Sequence, residues 1–379
     1  MTYRCFDHYF PNSLKAQTRK RRGITGTRIP HIGDDVLFPR NFLHSFLSNS
    51  DNKNDLGLYL ATKLISLHRE SHFYQLQLCV TYNDTILSTL QMDDSFSSID
   101  SNSEEADQKI VRHTLHCIKQ MYNVIVVQSI NTDVLVLLLA YVAGEATSSN
   151  RNAFHVFFKL VTSDPTWYDV VAIIKQLGID ICKALPFFYA FTGCDTVSSF
   201  SGKGKCTFFD AWMKSREKDQ ITETFTKLGN MPQTIKDEDV FVIESLVKLV
   251  YYGCAKGHKD LSLNALRKKQ FTQSISNDMR KIAPSSDALY MHILRATHTA
   301  GFEWVQCLHN ISVPNPSVYG YILKEGVYIP KWLRNPSTFN LSNFVETCKC
   351  KTAQCKSCKC AQLDIPCLPL CHCNRNCNK

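Results

Sequence analysis

Nine cysteines crowd the end of the chain, at Cys348, Cys350, Cys355, Cys358, Cys360, Cys367, Cys371, Cys373 and Cys377. The other eight of its 17 cysteines are scattered singly. Met1 is followed by polar and charged residues rather than the apolar run of a secretory leader, so the cluster reads as metal ligation rather than a disulfide framework. Zinc takes four ligands in a tetrahedron and favours thiolate. Three zinc ions need twelve bonds, which six terminal and three bridging thiolates supply. The segment has only Leu363, Ile365, Leu368 and Leu370 as aliphatic side chains. Without metal it is expected to be unfolded. A metallothionein would share the stoichiometry, but its cysteines are not normally appended to an aromatic-rich globular domain. Lys349, Lys351, Lys356, Lys359, Arg375 and Lys379 outweigh Asp364, leaving the loaded cluster at about +2, enough for phosphate contact but not for strong binding alone. The first five of these cations are candidate DNA contacts.

A second set of residues is made of oxygens. Glu104, Glu105 and Asp107 open a helix, Asp133 follows a strand, and Asp195 lies in Phe191-Thr-Gly-Cys-Asp-Thr. If a sheet gathers Glu105, Asp107, Asp133 and Asp195, they suit magnesium or manganese, which would activate water for phosphodiester cleavage. The plainer reading is that the first-turn acids meet the helix dipole and that Asp133 caps the next helix. Lys203 and Lys205, in a Gly-Lys-Gly-Lys turn, are further phosphate-contact candidates or simply a surface turn. Arg19-Lys20-Arg21-Arg22 is a solvated face or a nuclear-import and phosphate-contact patch.

The elements that must position these groups read as α/β. Residues 1–50 are a charged, loop-rich approach broken by Pro11, Pro30 and Pro39. Asp55 to His68 has helical spacing, and Tyr74 to Thr81 turns at Asn83-Asp84 into a hairpin. A Ser101/Glu104 capping box opens a helix running to about Gln120. Val124 to Val127 reads as a strand buried on both faces, Val134 to Val142 as a buried helix and Phe154 to Val161 as a strand. Helices are expected over Trp167 to Leu177 and Ile179 to Phe191, and the chain is mostly helical from Asp237. Strands alternating with helices predict a parallel sheet covered on both faces. The longest apolar run, Val134 to Ala143, is half a membrane span, so no membrane partner is expected. The net charge of +9 on 379 residues mildly favours an anionic partner.

Glu104-Glu-Ala-Asp-Gln-Lys-Ile, Asn131-Thr-Asp-Val-Leu-Val-Leu and Thr192-Gly-Cys-Asp-Thr, in that order, resemble the core of PIN-like nucleases of the flap-endonuclease type. Residues 9 to 377 also resemble a family of transposon-associated animal proteins with a cysteine-rich tail. The matching stretches include Tyr9-Phe-Pro-Asn-Ser-Leu-Lys, Phe200-Ser-Gly-Lys-Gly-Lys and Ser285-Ser-Asp-Ala-Leu. The resemblance implies that Glu105 and Asp107 form the acid pair of the nuclease helix, that Asp133 is the second acid of a strand-end pair, and that Asp195 is the acid after the glycine. Lys203 and Lys205 fall where that fold holds a DNA phosphate. Asn131 stands in place of the first strand-end aspartate. The fold also begins with a strand carrying another aspartate, and nothing before Tyr9 supplies it, so the core reads as truncated and degenerate as a nuclease. The tail, residues 348–378, resembles the tesmin-type CXC domain, a three-zinc module that binds DNA. Only Lys356-Ser357 separates Cys355 from Cys358, where the family often has four residues ending in a DNA-reading tyrosine. These readings divide the chain into an N-terminal segment (1–70), an incomplete PIN-like core (71–215), a helical extension (216–340) and a zinc-cluster domain (348–378). They imply a nuclear, or alternatively cytoplasmic, DNA-binding protein with three zinc ions. A magnesium- or manganese-dependent nuclease and a protein-interaction adaptor are the alternatives.

Overall fold

The computed structural model describes residues 1–9, 13–15, 26–71, 77–83, 85–89, 103–146, 154–253, 261–273, 282–334, 348–349, 358–362, 367 and 371–373. The basic run at 19–22, the serine-rich loop before Ser103, and Cys350, Cys355 and Cys377 lie outside them. So do the side chains of Lys351, Lys356, Lys359 and Arg375.

Strands β1 (Thr2–Cys5), β2 (Leu78–Tyr82) and β3 (Thr85–Ser88) form one sheet, in which β1 runs parallel to β2 and β3 antiparallel to it. Asn83 takes φ 48° at the β2–β3 turn, a left-handed conformation that asparagine tolerates well. Helix α1 (Ser50–Glu70) covers this sheet, packing Ala61 and Ile65 on Leu78, Val80 and Tyr82. Its N-cap Asn49 accepts bonds from the Asp51 and Asn52 amides. The helix thus begins several residues earlier than Asp55, because a capping asparagine ends the preceding chain. A short π-helical turn at Phe42–Phe46 precedes it.

Strands β4 (Val124–Ser129), β5 (His155–Leu160) and β6 (Thr166–Asp169) form a second sheet, with β4 and β5 parallel and β6 antiparallel to β5. Among the described residues the fold is therefore α/β with two small mixed sheets in place of one parallel sheet. Two readings change with it. Trp167 to Asp169 form strand rather than helix, since they pair with Phe157 to Lys159, and helix α4 (Val170–Leu177) starts only where the Asp169 carboxylate caps the Ala172 amide. Strand β4 is not buried on both faces: Val127 faces the core, while Val124 is 61% and Val126 49% exposed. Apolar, β-branched content alone did not distinguish a half-buried strand from a fully buried one.

The large core lies on the other face of this second sheet. It joins α2 (Ala106–Lys119), α3 (Thr132–Ala146), α4, α5 (Ile179–Phe191), α6 (Lys205–Lys214), α7 (Lys218–Leu228), α8 (Asp237–Tyr252), α9 (Leu263–Gln273) and α10 (Ser286–His298). Aromatic rings fill its middle: Trp212 sits 5.1 Å from Phe225 and 5.4 Å from Phe188, and its indole N–H donates to Thr222 Oγ1 at 3.0 Å. The region expected to be mostly helical also carries a hairpin, β7 (Tyr321–Lys324) and β8 (Val327–Pro330). Its turn residues Glu325 (φ 51°) and Gly326 (φ 73°) have the left-handed pair that a two-residue hairpin loop needs. A four-residue helix, α11 (Lys359–Gln362), lies among the C-terminal cysteines. Among the described residues, no helix is long and apolar enough to cross a membrane.

Candidate metal centres

The sulfur site rests on a short scaffold. Cys358 precedes α11, Cys360 lies in its first turn, and the Ala361 amide donates to Cys358 Sγ at 3.4 Å, a bond that favours a thiolate. The His372 amide donates to the Cys348 carbonyl at 3.0 Å, bringing the two ends of the cluster together. The sulfurs of Cys348, Cys358, Cys360 and Cys367 all lie within 4.8 Å of one another. Cys348 and Cys367 are 3.5 Å apart, and Cys360 is 3.8 Å from Cys371. These gaps are too long for a disulfide, whose sulfurs sit at about 2 Å. They match the roughly 3.8 Å edge of a tetrahedron with about 2.3 Å zinc–sulfur bonds. Cys348, Cys360, Cys367 and Cys371 are buried, and Cys358 and Cys373 pack against them. The site can hold a metal ion such as zinc. Lys349 is exposed beside it.

The candidate acids lie on segments that follow strands of both sheets and on the helices beside them. Residues 2–5, read from sequence as part of a loop-rich approach, form β1, and Asp7 lies just past its end. That acid precedes Tyr9, where the sequence reading found none. Asp7 Oδ1 accepts the Ala106 amide at 2.7 Å, so it caps the helix that carries Asp107. Ser101 lies outside the described residues, and Glu104 precedes the helix instead of sitting in its first turn. Lys109, 1% exposed, donates to the carbonyls of Phe6 at 3.2 Å and Asn83 at 3.0 Å, fastening β1 to α2 and the β2–β3 turn.

At the end of β4, Asn131 Nδ2 donates to Asp107 Oδ2 at 2.6 Å, while Asn131 Oδ1 accepts the Asp133 amide at 3.0 Å. Burial raises the Asp107 carboxyl to about 6, and the charges of Asp7 and Asp133 push the same way, against the lowering by the Asn131 bond and Lys15. Asp7, Asp107 and Asp133 are thus electrostatic neighbours. Glu105 pairs with Lys15, while Glu104 accepts Ser13 Oγ at 2.8 Å. Asp195 is exposed in the turn after α5. Gly193 in that turn has φ 114°, and a Cβ there would lie 2.7 Å from Ser199 Cβ. Among the described residues, no three of these carboxylates have oxygens within 4.8 Å of one another.

The two candidate phosphate contacts differ in setting. Lys205 donates to the Gly193 carbonyl and stands 3.9 Å over the Tyr189 ring, so its ammonium closes the C-terminal end of α5. Burial lowers its pKa. Lys203 Nζ lies 5.6 Å over the Tyr251 ring.

No protein-family model, curated protein or solved structure matches the chain.

Proposed function

We propose that the chain binds DNA, in the nucleus, through a zinc cluster built on its C-terminal cysteines, nine thiolates holding three zinc ions. The observation that carries this reading is the convergence of four cysteine sulfurs within 4.8 Å, in a segment with almost no apolar core of its own. Support for DNA as the partner comes from the cations interleaved with those cysteines and from the resemblance of residues 348–378 to a tesmin-type CXC module. The test is a titration of duplex DNA with the full chain, zinc-loaded and chelated, in rising salt. Phosphate contacts make affinity fall as salt rises, because bound counter-ions are released. The expected result is salt-sensitive binding that disappears on chelation. Zinc-loaded protein without salt-sensitive affinity would instead favour a protein-interaction adaptor in which zinc only orders the tail.

A second reading is favoured by one observation, the position of Asp7 beside the Asp107 helix. With Asp7, Asp107, Asp133 and Asp195, a PIN-like core would have the acids for divalent-metal-dependent phosphodiester hydrolysis. Magnesium or manganese would there supply a polarised water and neutralise the leaving group. Asn131 orients Asp107 and Asp133 but adds no charge. The discriminating measurement is manganese-dependent cleavage of a flap DNA by wild type and by an Asp7→Ala, Asp133→Ala double variant. Equal background from the two ends the enzyme reading.

A further inference from the structure

Helix α9 carries Lys268 with only 2% of its surface exposed. A buried ammonium is strongly unfavourable unless a partner of opposite charge compensates it. Among the described residues, Lys268 Nζ donates to Cys360 Sγ at 3.3 Å, and Cys360 is itself fully buried. A neutral thiol would be a weak acceptor and would offer no charge. A metal-bound thiolate offers both.

The charge balance points the same way. Four thiolates around one zinc leave a net charge of −2, and nine around three zincs leave −3, within a largely buried cluster. Outer-shell hydrogen bonds to sulfur relieve such charge and hold the ligands in orientation. Helix α9 is itself anchored in the body of the protein: Leu263 and Leu266 are buried in full, Arg267 donates to the Ala283 carbonyl at 2.5 Å, and the Ser286 amide donates to Asn264 Oδ1 at 3.1 Å.

We propose that Lys268 is the counter-ion of the metal–thiolate cluster, a positioning residue through which metal loading locks the C-terminal tail onto α9. The inference rests on the zinc reading above. The tail is then a metal-gated part of the helical body, and its thiolates are held against a cation that the body supplies.

The experiment uses the full chain. Zinc content and the rate of zinc loss to a chelator are measured for wild type, Lys268→Met and Lys268→Arg. Loss of an outer-shell partner lowers metal affinity by about 10- to 100-fold. Lys268→Met is expected to show that loss, and Lys268→Arg, which keeps charge and donors, to recover most of it. A residue that merely filled space would be replaced best by methionine, so the two variants rank oppositely under the two roles. Hydrogen exchange on wild type covers the case in which Lys268→Met does not fold: amides 263–273 should gain protection when zinc is added to chelated protein. Wild type that retains no zinc removes the zinc reading itself. Wild type that retains zinc, with Lys268→Met equally retentive or with α9 exchange unchanged on loading, overturns the role of Lys268 and leaves the zinc reading standing.

Discussion

Asn131 serves two acids with one amide: its nitrogen donates to Asp107 and its oxygen accepts the Asp133 amide. An aspartate in its place could keep the second bond but would set a negative oxygen against the first acid. Asn131→Asp should therefore destabilise the metal-free protein by about 1–3 kcal/mol, as expected when a buried bond is exchanged for an unsatisfied charge. Its melting temperature should recover on adding manganese. A variant as stable as wild type in chelator would sink the idea that Asn131 holds Asp107. Asp107 itself makes a pH prediction. Its folded pKa, raised by burial to about 6, lies above its unfolded value near 3.8. The protonated form is therefore the stabilising one, and stability is lost as pH rises from about 4 through about 6. The urea midpoint of wild type relative to Asp107→Asn should fall across that window, by on the order of 2 kcal/mol in stability. A difference that stays flat with pH would show that Asp107 is solvated. Asp107 and Asp133 stand out in the sequence because each opens a helix. Asp7 does not: the strand before it is four residues long, and the helix it caps lies 99 positions away.

Short elements are where local pattern was least informative. Trp167-Tyr168-Asp169 carries apolar residues at a spacing that suits a helix start, yet pairing with β5 drew it into an antiparallel strand. The long helices were legible because their apolar periods were long: α3, α5 and α8 lie where Val134 to Val142, Ile179 to Phe191 and the segment from Asp237 were expected. The Thr192-Gly-Cys-Asp turn has a backbone reason for its glycine. At φ 114°, with Ser199 pressed against the missing Cβ, no L side chain fits without moving the turn. Gly193→Ala should cost about 1–3 kcal/mol, read as a lower melting temperature. It should also disturb Lys205, which donates to the Gly193 carbonyl. An unchanged melting temperature would mean that the turn has another conformation available.

At the scale of the molecule, cysteine spacing was the most legible feature, since six of the nine tail cysteines are described and all six lie in or against one buried cluster. Its docking on α9 left no trace in the sequence, because Lys268 is one lysine among 43 basic residues until the fold buries it. Native mass spectrometry should find three zinc ions per chain. A single zinc would mean that Cys348, Cys358, Cys360 and Cys367 form an isolated site and that the remaining thiols are spectators. The division of the strands into two sheets was also invisible, because both halves offer short apolar runs. A cavity of about 570 Å³, lined by Tyr3, Cys5, His113, Val124 and Val126, separates the edge strands β1 and β4. Asp7 lies just past the first of these strands, and Asp133 opens the helix that follows the second. A cation shared by both acids would act as a clasp across the seam, so that letting go of the ion would release one sheet edge from the other.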